Sequence, residues 1–84
     1  MITIRFFSLI REAIGCKEMS VEWSEQVSTI AALKQQLVHH HGRHWAEALH
    51  QPNLVHALNQ RVVSADAPVK EGDEVAFFPP MTGG

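Results

Sequence analysis

The stretch "ITIRFFSLIREAIG", residues 2–15, changes its hydrophobic period midway and predicts a strand followed by a short helix. Apolar and polar side chains alternate first, so every second side chain from Ile2 to Phe6 is expected to point into a core. After residue 8 the apolar residues recur at helical spacing. Ser8 is expected to cap this helix, and Gly15 to end it in a left-handed conformation.

The next segments predict a second strand and one long helix. "EMSVEW" alternates again, with Met19, Val21 and Trp23 on one face. An amphipathic helix is expected from about Ser28 to His41. Either Ser28 or Thr29 caps it, and the following glycine ends it.

The last third of the chain predicts short strands separated by turns. "HWAEALH" is a possible short helix, and "LVHALN" and "RVV" are strand-like around an Asn59-Gln60 turn, with their inward faces undecided. "EVAFF" is expected to be the last strand, with Phe77 pointing inward and Phe78 outward, until Pro79 ends it. This order predicts an α+β fold, a mixed sheet of four or five strands with one main helix across it. We expect a domain over 1–78 and an extended tail over 79–84.

Composition excludes several classes of function. The chain has 84 residues, 45% of them hydrophobic, and a formal net charge of -2 without a basic stripe, which argues against nucleic acid or an anionic membrane as a partner. The N-terminal segment lacks the features of a signal peptide, and no stretch is long enough for a membrane span. The single cysteine, Cys16, excludes an internal disulfide. We therefore expect a soluble cytoplasmic protein.

The sequence assembles no catalytic or metal-binding set. Consecutive histidines on a helix diverge by about 100° each, so the run from His39 to His41, with His44 nearby, is interpreted as a solvated helix end rather than a metal site. Cys16 is interpreted as an incidental thiol. No metal and no permanently bound cofactor are expected.

Two features point to a protein partner. If Phe6 and Phe77 lie in the core, Phe7 and Phe78 emerge on the opposite face of the sheet and form a partner-binding patch, unless a loop or "HWAEALH" covers them. The ending "FFPPMTGG" adds a stiff spacer and a thin terminus. Two prolines favour an extended path, and two glycines fit a narrow channel in another protein. Such a terminus presents its α-carboxylate to a partner's active site.

Together "MITIRFFSLIREAIG", "ALNQRVVS" and "GDEVAFFPPMTGG" resemble the small subunits of molybdopterin synthase, a β-grasp family related in fold to ubiquitin. The resemblance covers essentially the whole chain, and the ending is its most specific part. It implies that a ubiquitin-activating-like adenylyltransferase uses ATP to adenylate Gly84, and that a sulfur donor system converts it to a thiocarboxylate.

The resemblance also implies what the thiocarboxylate does. The tail inserts into the active site of the large synthase subunit and donates sulfur to cyclic pyranopterin monophosphate, which forms the dithiolene of molybdopterin. The assembly is a heterotetramer, and the carrier contributes to a sulfurtransferase without catalytic side chains of its own. The inserted residues are Pro79, Pro80, Met81, Thr82, Gly83 and Gly84.

Two other classes of function stay open at the level of sequence. One is another β-grasp protein ending in two glycines: a sulfur carrier for thiamine or for tRNA thiolation, or a modifier conjugated to lysines. The double proline argues against the thiamine carriers. The other is a non-catalytic binding module in which the glycines are incidental.

Overall fold

The first and last strands form the centre of a five-stranded mixed sheet. The computed structural model describes residues 1–80, and its strands are β1 (Ile2–Phe6), β2 (Glu18–Val21), β3 (Val55–Leu58), β4 (Arg61–Val63) and β5 (Glu74–Phe78). β1 lies parallel to β5, with Ile4 opposite Val75 and Phe6 opposite Phe77. The other neighbouring pairs are antiparallel, and the strand order is β2-β1-β5-β3-β4.

Three helices pack on one face of this sheet. The longest, α2 (Ile30–His41), begins after Thr29, whose hydroxyl oxygen accepts a hydrogen bond from the Ala32 amide at 3.0 Å. It ends at Gly42, which has a φ of 90° that a side chain would disfavour. Of the two predicted caps, Thr29 is therefore the one used. The helices are α1 (Ser8–Ile14), α2 (Ile30–His41) and α3 (Arg43–Leu49), and a single 3₁₀ turn spans Glu25–Val27.

The predicted cap of α1 is wrong, whereas its predicted end is confirmed. Ser8 lies inside the helix with a φ of 56°, and the capping position belongs to Phe7, which makes no side-chain capping bond. The Phe7 carbonyl instead accepts the Ile10 amide at 3.1 Å. Gly15 ends the helix in the left-handed region, and its amide donates to the Arg11 carbonyl at 2.8 Å.

The core lies between the helices and the inner face of the sheet. Every second side chain of β1 is buried, as the alternation predicted, and Val75 and Phe77 of β5 are fully buried beside them. The Phe6 ring stacks on Phe77 with centroids 5.9 Å apart, and Trp45 of α3 meets its edge at 5.5 Å. Helical core residues are Ile10, Ile14, Ile30, Leu33, Leu37, Trp45, Ala48 and Leu49.

The second strand is shorter than the sequence predicted, whereas the turn between β3 and β4 lies where it was predicted. β2 ends at Val21, so Trp23 lies beyond the strand; its indole N–H donates to the Val69 carbonyl at 2.8 Å and its side chain packs against the core. The predicted turn between β3 and β4 is confirmed, with positive φ at both Asn59 and Gln60. Within residues 1–80 no helix has the length and apolarity needed to cross a membrane.

Candidate functional site

The outer face of the sheet carries a shallow apolar hollow of about 300 Å³. Its floor consists of Ala57 of β3 and Ala76 of β5, which lie directly opposite each other and are small enough to leave the space. Val62 of β4 borders it with 77% of its surface exposed. We call this surface the outer patch, lined by Arg5, Phe7, Ala57, Gln60, Val62, Glu74, Ala76 and Phe78.

Phe7 and Phe78 form one wall of the outer patch. They follow the buried Phe6 and Phe77, so the alternation of the strands places both on the outer face, as predicted. Their rings stack with centroids 4.6 Å apart and an interplanar angle of 6°, and each is half-buried rather than fully exposed. The stack gives the patch a flat, rigid aromatic edge at the point where β5 ends.

Arg5 supplies the positive charge of the outer patch. Its guanidinium lies between Glu18, at 3.4 Å, and Glu74, at 3.8 Å, and its central carbon is 5.5 Å from the centre of the Phe7 ring. All three ionic groups are partly exposed to solvent, so these contacts orient the side chains more than they stabilise the fold. The patch therefore combines apolar side chains with one oriented cation.

No described helix covers the outer patch. The "HWAEALH" segment forms α3, but Trp45 contacts Phe6, on the other face of the sheet. Within residues 1–80 the aromatic pair therefore lies on a face that no helix covers. Pro79 and Pro80 follow directly after β5 and are half-buried. The other residues of the predicted tail, Met81, Thr82, Gly83 and Gly84, lie outside the described residues.

Some residues of the outer patch were not predicted from the sequence. Arg5 alternates with the core residues of β1, so its face could have been inferred from the same pattern that placed Phe7. Val62 could not be placed, because three residues of β4 are too few to define an inward face. The pairing of Ala57 with Ala76 depends on strand register, which the sequence pattern left undecided.

The histidine run lies at the end of α2, where the sequence placed it. His41 stacks on Trp45 with ring centroids 3.9 Å apart, and His39 meets the edge of His40 at 5.6 Å. Among residues 1–80, no three histidine, cysteine or acidic side chains are grouped as a metal ion requires. Cys16 is half-buried, and its thiol donates to the Glu18 carbonyl at 3.4 Å.

The contact between the titratable side chains of Lys34 and His56 was not predicted from the sequence. The Nζ atom of Lys34, on α2, lies 3.1 Å from Nε2 of His56, on the inner face of β3. Burial lowers the pKa of His56, the Lys34 charge lowers it further, and a backbone hydrogen bond with Val63 opposes both. Burial also lowers the pKa of Lys34.

Comparison with known proteins agrees with this architecture. Residues 4–84 match the model of the ThiS family. The chain is 44% identical to the molybdopterin synthase sulfur carrier subunit of Escherichia coli (strain K12), over 100% of both chains. The crystal structure of SAMP1 from Haloferax volcanii superposes with a TM-score of 0.74 at 22% identity, covering 99% of this chain and 98% of that one.

A second solved structure is a protein–protein complex of subunits 1 and 2 of molybdopterin-converting factor from Helicobacter pylori 26695. One of its chains superposes with a TM-score of 0.66 at 23% identity, covering 99% of this chain and 97% of that one. Because both sequence identities are below 25%, these two superpositions are evidence for the fold only. Together with the strand order, they confirm the predicted β-grasp fold.

Proposed function

Because this chain belongs to the ThiS family and is similar over its full length to a molybdopterin synthase sulfur carrier subunit, we propose that it carries sulfur as a C-terminal thiocarboxylate. The carrier acts in molybdenum cofactor biosynthesis in the cytoplasm. The sulfur passes to cyclic pyranopterin monophosphate in the large synthase subunit and becomes part of the dithiolene. The strongest support is the 44% sequence identity to this carrier subunit over the full length of both chains, together with Gly83-Gly84 at the end of the sequence.

The chemistry follows from the terminal carboxylate of Gly84. A carboxylate is a poor electrophile, so a ubiquitin-activating-like adenylyltransferase first joins it to AMP at the expense of ATP. A sulfur donor system then displaces AMP and leaves a thiocarboxylate, whose sulfur is the nucleophile in the synthase. Gly83 and Gly84 add no side chain that would block a narrow channel.

The outer patch supplies the docking surface in this proposal. An apolar hollow beside stacked phenylalanines is the kind of surface that partners cover, and Arg5 can meet a partner carboxylate at its edge. The patch ends where Pro79 and Pro80 begin, so a partner seated on it lies next to the start of the tail. Two carriers docked in this way on a dimer of large subunits give a heterotetramer.

The direct test is the intact mass of the chain after incubation with the activating enzyme, ATP and a sulfur donor. Conversion of the terminal carboxylate to a thiocarboxylate adds about 16 Da, the difference between sulfur and oxygen. An unchanged mass would argue for a binding module. Isopeptide-linked adducts on lysines of other proteins, without sulfur transfer, would argue for a protein modifier.

Deletion of Gly84 should abolish sulfur transfer without unfolding the chain. The reaction needs the carboxylate at the end of the full-length tail, whereas all residues of the described core cluster lie within residues 1–78. Formation of molybdopterin in the reconstituted synthase measures the first effect, and the midpoint of thermal unfolding measures the second. Sulfur transfer at the wild-type rate by the shortened chain would refute the assignment of Gly84.

Phe78→Ala should weaken binding to the large subunit by roughly thirtyfold, about 2 kcal/mol, as expected for an aromatic anchor in an interface. The chain should stay folded and lose only about 1 kcal/mol of unfolding free energy with the Phe7 stack. Calorimetric titration and urea unfolding measure the two quantities.

The matched control for this prediction is the neighbouring Phe77→Ala. Phe77 is fully buried on the inner face, so its truncation should lower the free energy of unfolding by about 3–5 kcal/mol. The prediction fails if Phe78→Ala destabilises the chain as much as Phe77→Ala does, or if it leaves the affinity for the large subunit unchanged.

A further inference from the structure

A lysine and a histidine meet on the inner face of the sheet, opposite the outer patch. Lys34 reaches from α2 to within 3.1 Å of Nε2 of His56. Lys34 is half-buried, whereas the other two lysines of the chain, Lys17 and Lys70, are exposed. Among residues 1–80, no carboxylate lies within ion-pair distance of Lys34. Its amine therefore has a nitrogen base as its neighbour instead of a counterion.

The imidazole of His56 is held in place from two sides. Its residue is only 9% exposed, and its ring meets the edge of Phe77 with centroids 6.0 Å apart at 88°. The residue also lies opposite Val63 of β4 in the antiparallel strand pair. In the tautomer that carries its proton on Nδ1, the Nε2 lone pair accepts a hydrogen bond from Lys34. A nucleophile, a base within hydrogen-bond distance and a group that orients the base are the components of an activated side chain.

We propose that Lys34 is an acceptor site for N-acylation by activated acyl groups, such as acyl phosphates, and that His56 is the base that removes its proton. This site is separate from the terminal chemistry of the carrier. It uses residues of α2 and β3 that neither the tail nor the outer patch requires.

The reaction balances without any further reagent. The Lys34 ammonium first releases one proton to water, which leaves the neutral amine. The neutral amine attacks the acyl carbon, a C–N bond forms, and the C–O bond to phosphate breaks with its electron pair leaving on phosphate. The nitrogen, which bond formation has made strongly acidic, passes its remaining extra proton to Nε2 of His56, and the imidazolium releases it to water. The products are an amide on Lys34 and inorganic phosphate.

Burial favours the neutral amine of Lys34, and the charge on Lys34 keeps the His56 ring unprotonated. Burial lowers the pKa of Lys34, because a desolvated ammonium is less stable than an exposed one. Among residues 1–80, Lys34 is the charged group that acts on His56, and its positive charge opposes protonation of the ring. Acylation removes that charge, so it would also return the pKa of His56 toward its ordinary value.

The test uses the full-length chain and acetyl phosphate at about pH 8, with site occupancy followed over time by peptide mass spectrometry. Lys34 should be acetylated at least roughly tenfold faster than Lys17 and Lys70, because a base lies within hydrogen-bond distance of its amine. Solvent exposure alone predicts the opposite order. An acetylation rate at Lys34 no higher than at Lys17 would overturn the proposal.

His56→Gln tests the base, because glutamine keeps a hydrogen-bonding side chain but takes up no proton. It should reduce the rate at Lys34 to that of the exposed lysines. The matched control is His39→Gln, an exposed position on the same helix as Lys34, which should leave the rate unchanged. An undiminished rate in His56→Gln would overturn the role of His56.

If His56→Gln does not fold, the role of His56 as the base can be tested on the wild-type chain instead. The ratio of acetylation rates at Lys34 and Lys17 should fall as the pH is lowered from about 8 toward 5, through the range in which histidine gains its proton. A ratio that stays constant over this range would show that no titrating base assists Lys34, and the proposal would then be wrong.

Discussion

At the scale of single residues, Phe77 and Phe78 show how one position along a strand decides between stability and recognition. Both belong to β5, yet Phe77 is fully buried in the core whereas Phe78 stacks on Phe7 at the outer face. The alternation of β-strands makes this separation unavoidable. Substitutions at these neighbours therefore report on different properties of the molecule.

His56 predicts a loss of stability in acid. Its pKa in the folded chain lies below the ordinary value of 6.5, chiefly because of burial and then because of the Lys34 charge. The unfolded chain therefore binds the proton more readily, and the free energy of unfolding should decrease as the pH falls below about 6.5. The decrease should level off below the pKa of the folded state. Urea unfolding between about pH 7.5 and pH 5 measures this slope.

His56→Gln removes the titrating group and should flatten this part of the slope, whereas the exposed His39→Gln should retain it. An equal slope in the wild type and in His56→Gln would mean that the acid sensitivity comes from other groups.

At the scale of elements, the turn between β3 and β4 is the clearest local constraint. Asn59 and Gln60 have φ values of 50° and 70°, as in the type I′ turns that join two-residue hairpins. The Asn59 side chain also donates to Asp73 and accepts from the Glu74 amide, both at 3.0 Å, so the turn is fixed to the start of β5. Asparagine suits this conformation, but glutamine does not.

Gln60→Gly should therefore stabilise the chain. Relief of the left-handed conformation outweighs the flexibility that glycine adds to the unfolded chain, and we expect a gain of about 0.5–1 kcal/mol. The midpoint of thermal unfolding should rise by about 4 °C for a domain of this size. The same change at Gln35, on the exposed face of α2, should instead cost about 1 kcal/mol. A lower midpoint for Gln60→Gly would contradict the turn assignment.

At the scale of the whole molecule, sequence patterns predicted the elements better than their contacts. The alternation from Ile2 to Phe6 and the helix-end residues Thr29 and Gly15 depend only on neighbouring residues in the chain. They could therefore be predicted from the sequence. Ser8 was misplaced because serine is a common cap, whereas here the carbonyl of Phe7 begins the helix.

Contacts between distant segments could not be read in this way. Lys34 and His56 are 22 residues apart and meet only after α2 packs on β3. The outer patch was partly predictable, since Phe7 and Phe78 follow from alternation. Its floor depends on the register between β3 and β5, which the alternation of side chains does not define.

The central position of β5 has a mechanical consequence. Its hydrogen bonds run to parallel β1 on one side and to antiparallel β3 on the other, and the chain leaves the sheet at Phe78. A force applied at Pro80 along the strand loads both ladders at once, in shear, instead of opening them one bond at a time. The domain can therefore withstand traction applied at Pro80, the last residue that the structure describes.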